Sequence, residues 1–115
     1  MTRRLVFSLG LLSCLLFSVQ AFAIEFGDAR AGGQKYQQKG CTNCHGEGGR
    51  SSAPTFPILA GQYSDYLVEA LQGYKEGDRK NPMMAGMAAG LSEEDMYDIA
   101  AYLSREESAL TTLHK

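Results

Sequence analysis

The chain has 115 residues, with 11 Lys and Arg against 13 Asp and Glu and a formal charge of −2, which is the size of one nearly neutral domain. Charged residues at 21% and apolar residues at 44% exclude both a disordered polar tract and a polytopic membrane protein, and the lack of basic excess argues against nucleic acid as a partner. These averages hide an uneven chain, because residues 1–23 hold three of the five Phe, one of the three Cys, two of the eleven basic residues and no acid.

That first segment reads as a secretory signal peptide. Arg3 and Arg4 form a basic start, Leu5 to Val19 is a Leu- and Phe-rich run, and Ala21-Phe22-Ala23 supplies small residues where a signal peptidase cuts. A membrane-spanning helix wants ~20 strongly apolar residues. Ser8, Gly10, Ser13, Ser18 and Gln20 interrupt this run, so no stable anchor is expected after cleavage. The expected division is a leader at 1–23 and one domain at 24–115, with a core at about 26–104 and a short polar tail. Losing Arg3 and Arg4 with the leader takes the formal charge from −2 to −4. The leader directs the domain to the periplasm, an oxidising compartment where the two remaining cysteines, Cys41 and Cys44, would by default form a disulfide.

Asp28 to Lys39 predicts a helix, weakened by Gly32 and Gly33. Each glycine costs ~1 kcal/mol against alanine and is tolerated mainly where another group must come close. Gly32 and Tyr36, four apart, share one face. Gly40 to Pro57 is rich in glycine, serine and proline and predicts a loop. A second amphipathic helix starts at Ser64-Asp65, runs through Leu67, Ala70, Leu71 and Tyr74, and stops at Gly77. Asp78 to Gly90, with Asn81-Pro82 and Met83, Met84 and Met87, predicts an irregular connection lying over something apolar. Ser92-Glu93-Glu94-Asp95 resembles a capping box, and Met96, Ile99, Ala100 and Leu103 form the apolar face of a third helix. No segment alternates with a period of two, so the expected fold is all-α.

Cys41-Thr42-Asn43-Cys44-His45 carries the chemistry, because Cys-x-x-Cys-His is the covalent attachment site of c-type haem. Two thiols on one side of a tight turn reach two vinyl groups as thioethers, and the adjacent His addresses the iron. A zinc site would need four ligands, yet outside the leader the chain offers only Cys41, Cys44, His45 and His114, the last one residue from the end. A thioredoxin-like Cys-x-x-Cys sits in a βαβ setting that this pattern lacks. A soft thioether as sixth ligand favours ferrous iron and suits an electron carrier. Met83, Met84, Met87 and Met96 are the candidates, Met96 being better placed for the core.

Together these pieces resemble a class I c-type cytochrome, most similar to one domain of the periplasmic cytochromes that occur singly or as tandem two-haem chains. The resemblance covers about Phe26 to Ser104. Beyond Cys41 to Gly46 it rests on Ala53-Pro54-x-Phe56-Pro57-x-Leu59-Ala60-Gly61-Gln62, Tyr66-Leu67, Tyr74-Lys75-x-Gly77-x-Arg79, Met83-Met84-x-Gly86-Met87 and Leu91-Ser92-x-Glu94-Asp95 through Ala101-Tyr102-Leu103. It implies a cytochrome c fold of three to four helices wrapped around one covalent haem c, with the first and last helices crossing where Gly32 meets Tyr102. It further implies His45 and Met84 as iron ligands, and Pro57, twelve residues after His45, as the carbonyl that accepts the imidazole hydrogen bond. Gln62, Tyr63 and Arg79 become candidates for the haem propionates.

The function so implied is that of a carrier, not an enzyme, passing single electrons between periplasmic or membrane-bound donors and acceptors. Two other readings are an electron-transfer subunit of a larger oxidoreductase and a small-ligand-binding or peroxidase-like haem protein. Lys75, Arg79 and Lys80, with Lys35 and Lys39, fall on segments flanking the haem site and are expected to form a basic docking rim, while acids gather at Glu93 to Asp98 and at Glu106-Glu107.

Overall fold

A computed structural model describes residues 27–108. The leader with its cleavage site and the tail with His114 lie outside the described residues. Among those described, the backbone forms five α-helices and one 3-10 turn, with no strand.

Helix α1, Ala29–Gln38, begins where Asp28 accepts hydrogen bonds from the N–H groups of Arg30 at 2.8 Å and Ala31 at 3.2 Å. Helix α2 is the single turn Thr42–His45, with the 3-10 turn Glu47–Gly49 directly after it. Helix α3, Ser64–Glu76, stops at Gly77 in a left-handed cap. Helix α4 is Pro82–Ala89. Helix α5, Glu93–Arg105, carries the expected capping box: Ser92 Oγ accepts from Asp95 N at 3.1 Å, and Asp95 Oδ2 accepts from Ser92 N at 3.0 Å.

One segment differs from the pattern-based expectation. Residues 78–90 are not an irregular connection throughout, because they contain α4. The Asn-Pro pair that reads as a breaker is here a helix start. Asn81 accepts from the N–H groups of Met83 and Met84, both at 3.1 Å, and a proline at the first helical position gives up an N–H that would have had no partner anyway. The Met-Met-Ala-Gly-Met-Ala-Ala run behind it consists of good formers apart from Gly86. Besides the single turn of α2, the described residues thus hold four α-helices, within the expected three to four.

The core is the cluster Tyr36, Leu67, Val68, Leu91, Met96, Ile99, Ala100 and Leu103. It is assembled mainly by α1 against α5, with α3 packed on both α5 and α4. The α1–α5 crossing depends on Gly32. A Cβ built there would lie 1.8 Å from the Asp98 carbonyl oxygen and 2.9 Å from Tyr102 Cβ, so only a residue without a side chain lets the two backbones touch.

Charge flanks the same crossing. Lys35 Nζ reaches Asp98 Oδ2 at 2.6 Å, Asp95 Oδ1 at 3.1 Å and Glu94 Oε1 at 3.2 Å, and Lys39 Nζ lies 3.4 Å from Asp95 Oδ2. Lys35 is thus tied to α5 by three carboxylates, whereas Lys39 makes one longer ion pair and stays exposed. Asp98 is 4% exposed and also accepts from Asp28 N at 2.7 Å. Burial would raise its pKa, but the Lys35 ammonium and the Asp28 N–H outweigh that and hold the carboxyl below its ordinary range. The Ser92 N–H, with Lys35 and Lys39, brings Asp95 down to about 2, and its carboxylate partners, Asp98 foremost, raise Lys35 above its ordinary range.

Replacing Gly32 by Val should destabilise the protein by about 3 kcal/mol, at the upper end of overpacking costs, because both obstructing groups are backbone or Cβ atoms that cannot swing aside; denaturant unfolding reads this directly. Lys35→Met should cost about 3 kcal/mol at neutral pH by leaving the Asp98 carboxylate buried without its cation. Because the folded-state aspartate pKa values are depressed, their stabilisation is complete above the ordinary value of 3.8 and is lost as pH falls toward about 2. The gap between Lys35→Met and wild type should therefore narrow across that interval in unfolding curves taken at stepwise lower pH.

Candidate functional site

The segment between α1 and α3 is built around a buried imidazole. Cys41 N donates to Tyr36 O at 3.1 Å as α1 ends, and His45 N donates to Cys41 O at 3.0 Å, closing the α2 turn. Three residues apart on that turn, Cys41 and Cys44 lie on one side of it. Both are free thiols and half-buried, and burial pushes the Cys41 thiol up. Gly46 then takes φ 78° and ψ 170°, a conformation open essentially to glycine alone, and this turns the chain away directly after the histidine.

His45 is 7% exposed, and its Nδ1 lies 3.0 Å from the Pro57 carbonyl oxygen. A carbonyl only accepts, so Nδ1 carries a proton, and in the neutral ring Nε2 is the nitrogen that holds the lone pair. The Pro57 segment is held in turn by Gly49 O, which accepts from Leu59 N at 2.8 Å and Ala60 N at 3.1 Å. Phe56 sets its ring edge against the imidazole at 6.3 Å between centroids.

Across the chain, α4 sorts its methionines by helical geometry. Met83 and Met87, four residues apart, share an exposed face at 58% and 38%. Met84 is half-buried and shares its face with Ala88, which is fully buried. Met96 is 2% exposed within the core, in keeping with its place on the apolar face of α5. Of the residues considered for propionate contact, Gln62 Oε1 accepts from Tyr63 N at 2.9 Å. Arg79 stacks its guanidinium over the Tyr66 and Tyr74 rings at 5.8 and 5.0 Å and donates to Tyr74 Oη at 3.5 Å, so aromatic rings hold it in place. Lys75 donates to Leu91 O and Lys80 to Gly77 O.

This donor set fits a haem attached through the chain. Two free thiols share one turn, an imidazole between them and the Pro57 segment keeps one nitrogen available, and a thioether supply lies on α4. The buried Thr42 Oγ1 inside the motif has no hydrogen-bond partner among the described residues, which marks this turn as a place where the folded polypeptide alone leaves a polar group unsatisfied. Among the described residues no three His, Cys, Asp or Glu side chains gather as a metal site.

Two elements of the site escape sequence reasoning. Asn81, which reads as a breaker, caps the helix that carries Met84; the signal available is Asn-Pro directly ahead of a run of helix formers. Tyr36, which the pattern places only on a packing face, donates its hydroxyl to Gly46 O at 2.8 Å. No spacing rule finds that bond.

An all-helical chain folded back on a Cys-x-x-Cys-His turn, its histidine buried with one nitrogen to spare, is the hallmark of c-type cytochromes. The family model for cytochrome c matches residues 29–106, and the chain belongs to the cytochrome c family. It is similar to cytochrome c-554(548) of Halomonas halodenitrificans, at 45% identity over 70% of this chain and 99% of that protein. It is 40% identical to cytochrome c4 of Pseudomonas aeruginosa over 84% of this chain and 47% of the relative, so it spans about half the length of that protein. Among solved structures it is similar to the cytochrome c4 of Acidithiobacillus ferrooxidans, with a TM-score of 0.63 and 34% identity over 67% of this chain and 49% of that one. Haem c, with its iron, is accordingly the cofactor of this domain, and the protein is an electron-transfer haem protein.

The Asn81 cap gives a prediction for the site. Asn81→Ala should cost about 1 kcal/mol and fray the first turn of α4, seen as faster amide exchange at Met83 and Met84 with little change in α1 or α5.

Proposed function

We propose that this chain is a periplasmic electron carrier in which Cys41 and Cys44 hold haem c as thioethers and His45 and Met84 ligate its iron. The observation that carries this reading is the His45 Nδ1 to Pro57 carbonyl hydrogen bond, 3.0 Å long, which leaves Nε2 as the free nitrogen of a buried imidazole beside two free thiols. When bound, the group supplies a one-electron couple between ferrous and ferric iron. The polypeptide's part is to keep both ligand atoms in place in both oxidation states. The Pro57 carbonyl fixes the ring orientation of His45. Met84 is favoured over Met83 and Met87 because the resemblance matches Met84-Ala85-Gly86 to the family's Met-x-Gly, and it lies on the half-buried face of α4 with Ala88.

The periplasmic assignment rests on the leader at residues 1–23, and among the described residues no helix is long and apolar enough to cross a membrane. Two relatives, from Stutzerimonas stutzeri and Thiomonas intermedia, are named thiosulfate dehydrogenase electron acceptors, at 39% identity each over less than half of their own length. A dehydrogenase that releases electrons one at a time is the kind of donor this domain suits, with delivery to a membrane-bound or periplasmic acceptor. With Lys35 tied to α5, a basic docking rim would draw on the exposed Lys39, Lys75, Arg79 and Lys80.

The ligand set is tested on protein matured with its haem. Met84→Ala should abolish the weak near-infrared band of thioether-ligated ferric haem, open the iron to exogenous ligands and lower the potential, while Met83→Ala and Met87→Ala should keep the band. A double Cys41→Ala, Cys44→Ala variant should lose haem to acid–organic extraction, as the wild type should not. Loss of the band in Met87→Ala alone would move the ligand to Met87.

A further inference from the structure

We infer that Tyr36 is a positioning residue for His45, its hydroxyl holding the turn that carries the imidazole in register with the carbonyl that orients it. The inference rests on His45 being an iron ligand, as proposed above.

Tyr36 is 1% exposed in the middle of the α1–α5 interface, its ring tilted against Tyr102 with centroids 5.6 Å apart. Two hydrogen bonds tie it to opposite ends of the attachment turn. Its carbonyl accepts from Cys41 N at 3.1 Å, and its hydroxyl donates to Gly46 O at 2.8 Å. The residue thus brackets the whole of Cys41 to Gly46. Packing alone does not call for the hydroxyl, since Phe would fill the same volume, and a hydroxyl buried here is tolerated only because it is bonded.

From Gly46 the connection continues to the second side of the imidazole. Gly46 O also accepts from Gly49 N at 3.2 Å, and Gly49 O accepts from Leu59 N at 2.8 Å and Ala60 N at 3.1 Å. The segment so held presents the Pro57 carbonyl to His45 Nδ1 at 3.0 Å. Tyr36 therefore acts on the imidazole through backbone, at a carbonyl one residue beyond His45. Without the hydroxyl, Gly46 O loses its stronger donor, and the turn is free to shift against the Pro57 segment. A looser Nδ1–H bond makes the imidazole a poorer electron donor, which favours ferrous iron and raises the potential.

The test is Tyr36→Phe in the haem-loaded protein, with Tyr102→Phe as a control that removes a hydroxyl from the same interface but not from the turn. Tyr36→Phe should keep the wild-type ferric and ferrous spectra, raise the midpoint potential, and speed solvent exchange of the His45 Nδ1 proton in the ferrous state, while Tyr102→Phe changes neither. Unchanged potential and unchanged Nδ1 exchange in a folded Tyr36→Phe protein overturn the inference, as does an equal change in Tyr102→Phe. Should the variant fail to fold, the wild type decides: the Tyr36 hydroxyl proton must be protected from exchange in the ferrous protein, and a freely exchanging one overturns the inference. If instead the wild type itself lacks the spectrum of a histidine-ligated low-spin haem, the ligand reading beneath it fails first.

Discussion

The close approach of α1 to α5 at Gly32 is the constraint on which the other features depend. A Cβ at that position would overlap the Asp98 carbonyl oxygen at 1.8 Å, so the absence of one side chain sets how near the two helices lie. That spacing lets Tyr36 sink into the core against Tyr102 and brings Lys35 within 2.6 Å of Asp98. It also places the end of α1, and with it Cys41, at a defined height against the last helix. A helix interrupted by two glycines is weak by itself, since each costs ~1 kcal/mol, and its stability must come from packing.

From that crossing, order passes to the redox site through backbone hydrogen bonds. The attachment turn is too short to be stable as an isolated helix, with α2 only four residues long. Its fixed points are Tyr36 at both ends and the Gly49 contact with Leu59 and Ala60. These polar groups would each carry a desolvation cost if left unmade in the interior. Their satisfaction makes the turn a rigid carrier for one imidazole and two thiols, which is what a site needs if its ligands are to serve two oxidation states with little rearrangement.

The surface divides by the same logic. Two of the lysines that sequence alone would assign to a docking face pair with α5, through Glu94 and Asp95 in its first turn, where the helix dipole already favours carboxylates, and, for Lys35, through Asp98 further along the helix. Arg79 keeps its charge exposed but ordered, stacked over two tyrosines. Outward-facing Met83 and Met87 add apolar, adaptable area near it.

Much of this molecule is legible in the linear chain. The Cys41 to His45 motif names the cofactor because its chemistry depends on residue types at fixed local spacing. The three long helices are legible because caps and 3.6-residue periodicity are local: the side chains of Asp28 and Ser92 begin two of them, and Gly77, free of a Cβ, ends the third in the left-handed conformation. Helix α4 is not legible in the same way, because Asn-Pro serves equally as a stop and a start, and the choice falls to the residues behind Pro82 and to the packing of Ala88. The partners of Lys35, the sheltered face of Met84 and the bond from Tyr36 to Gly46 are decided only in three dimensions. The Lys35 and Tyr36 contacts join groups that no periodicity relates, since their meeting depends on the angle and separation at which helices cross, and for α1 and α5 that separation is set by one glycine and the carbonyl it touches.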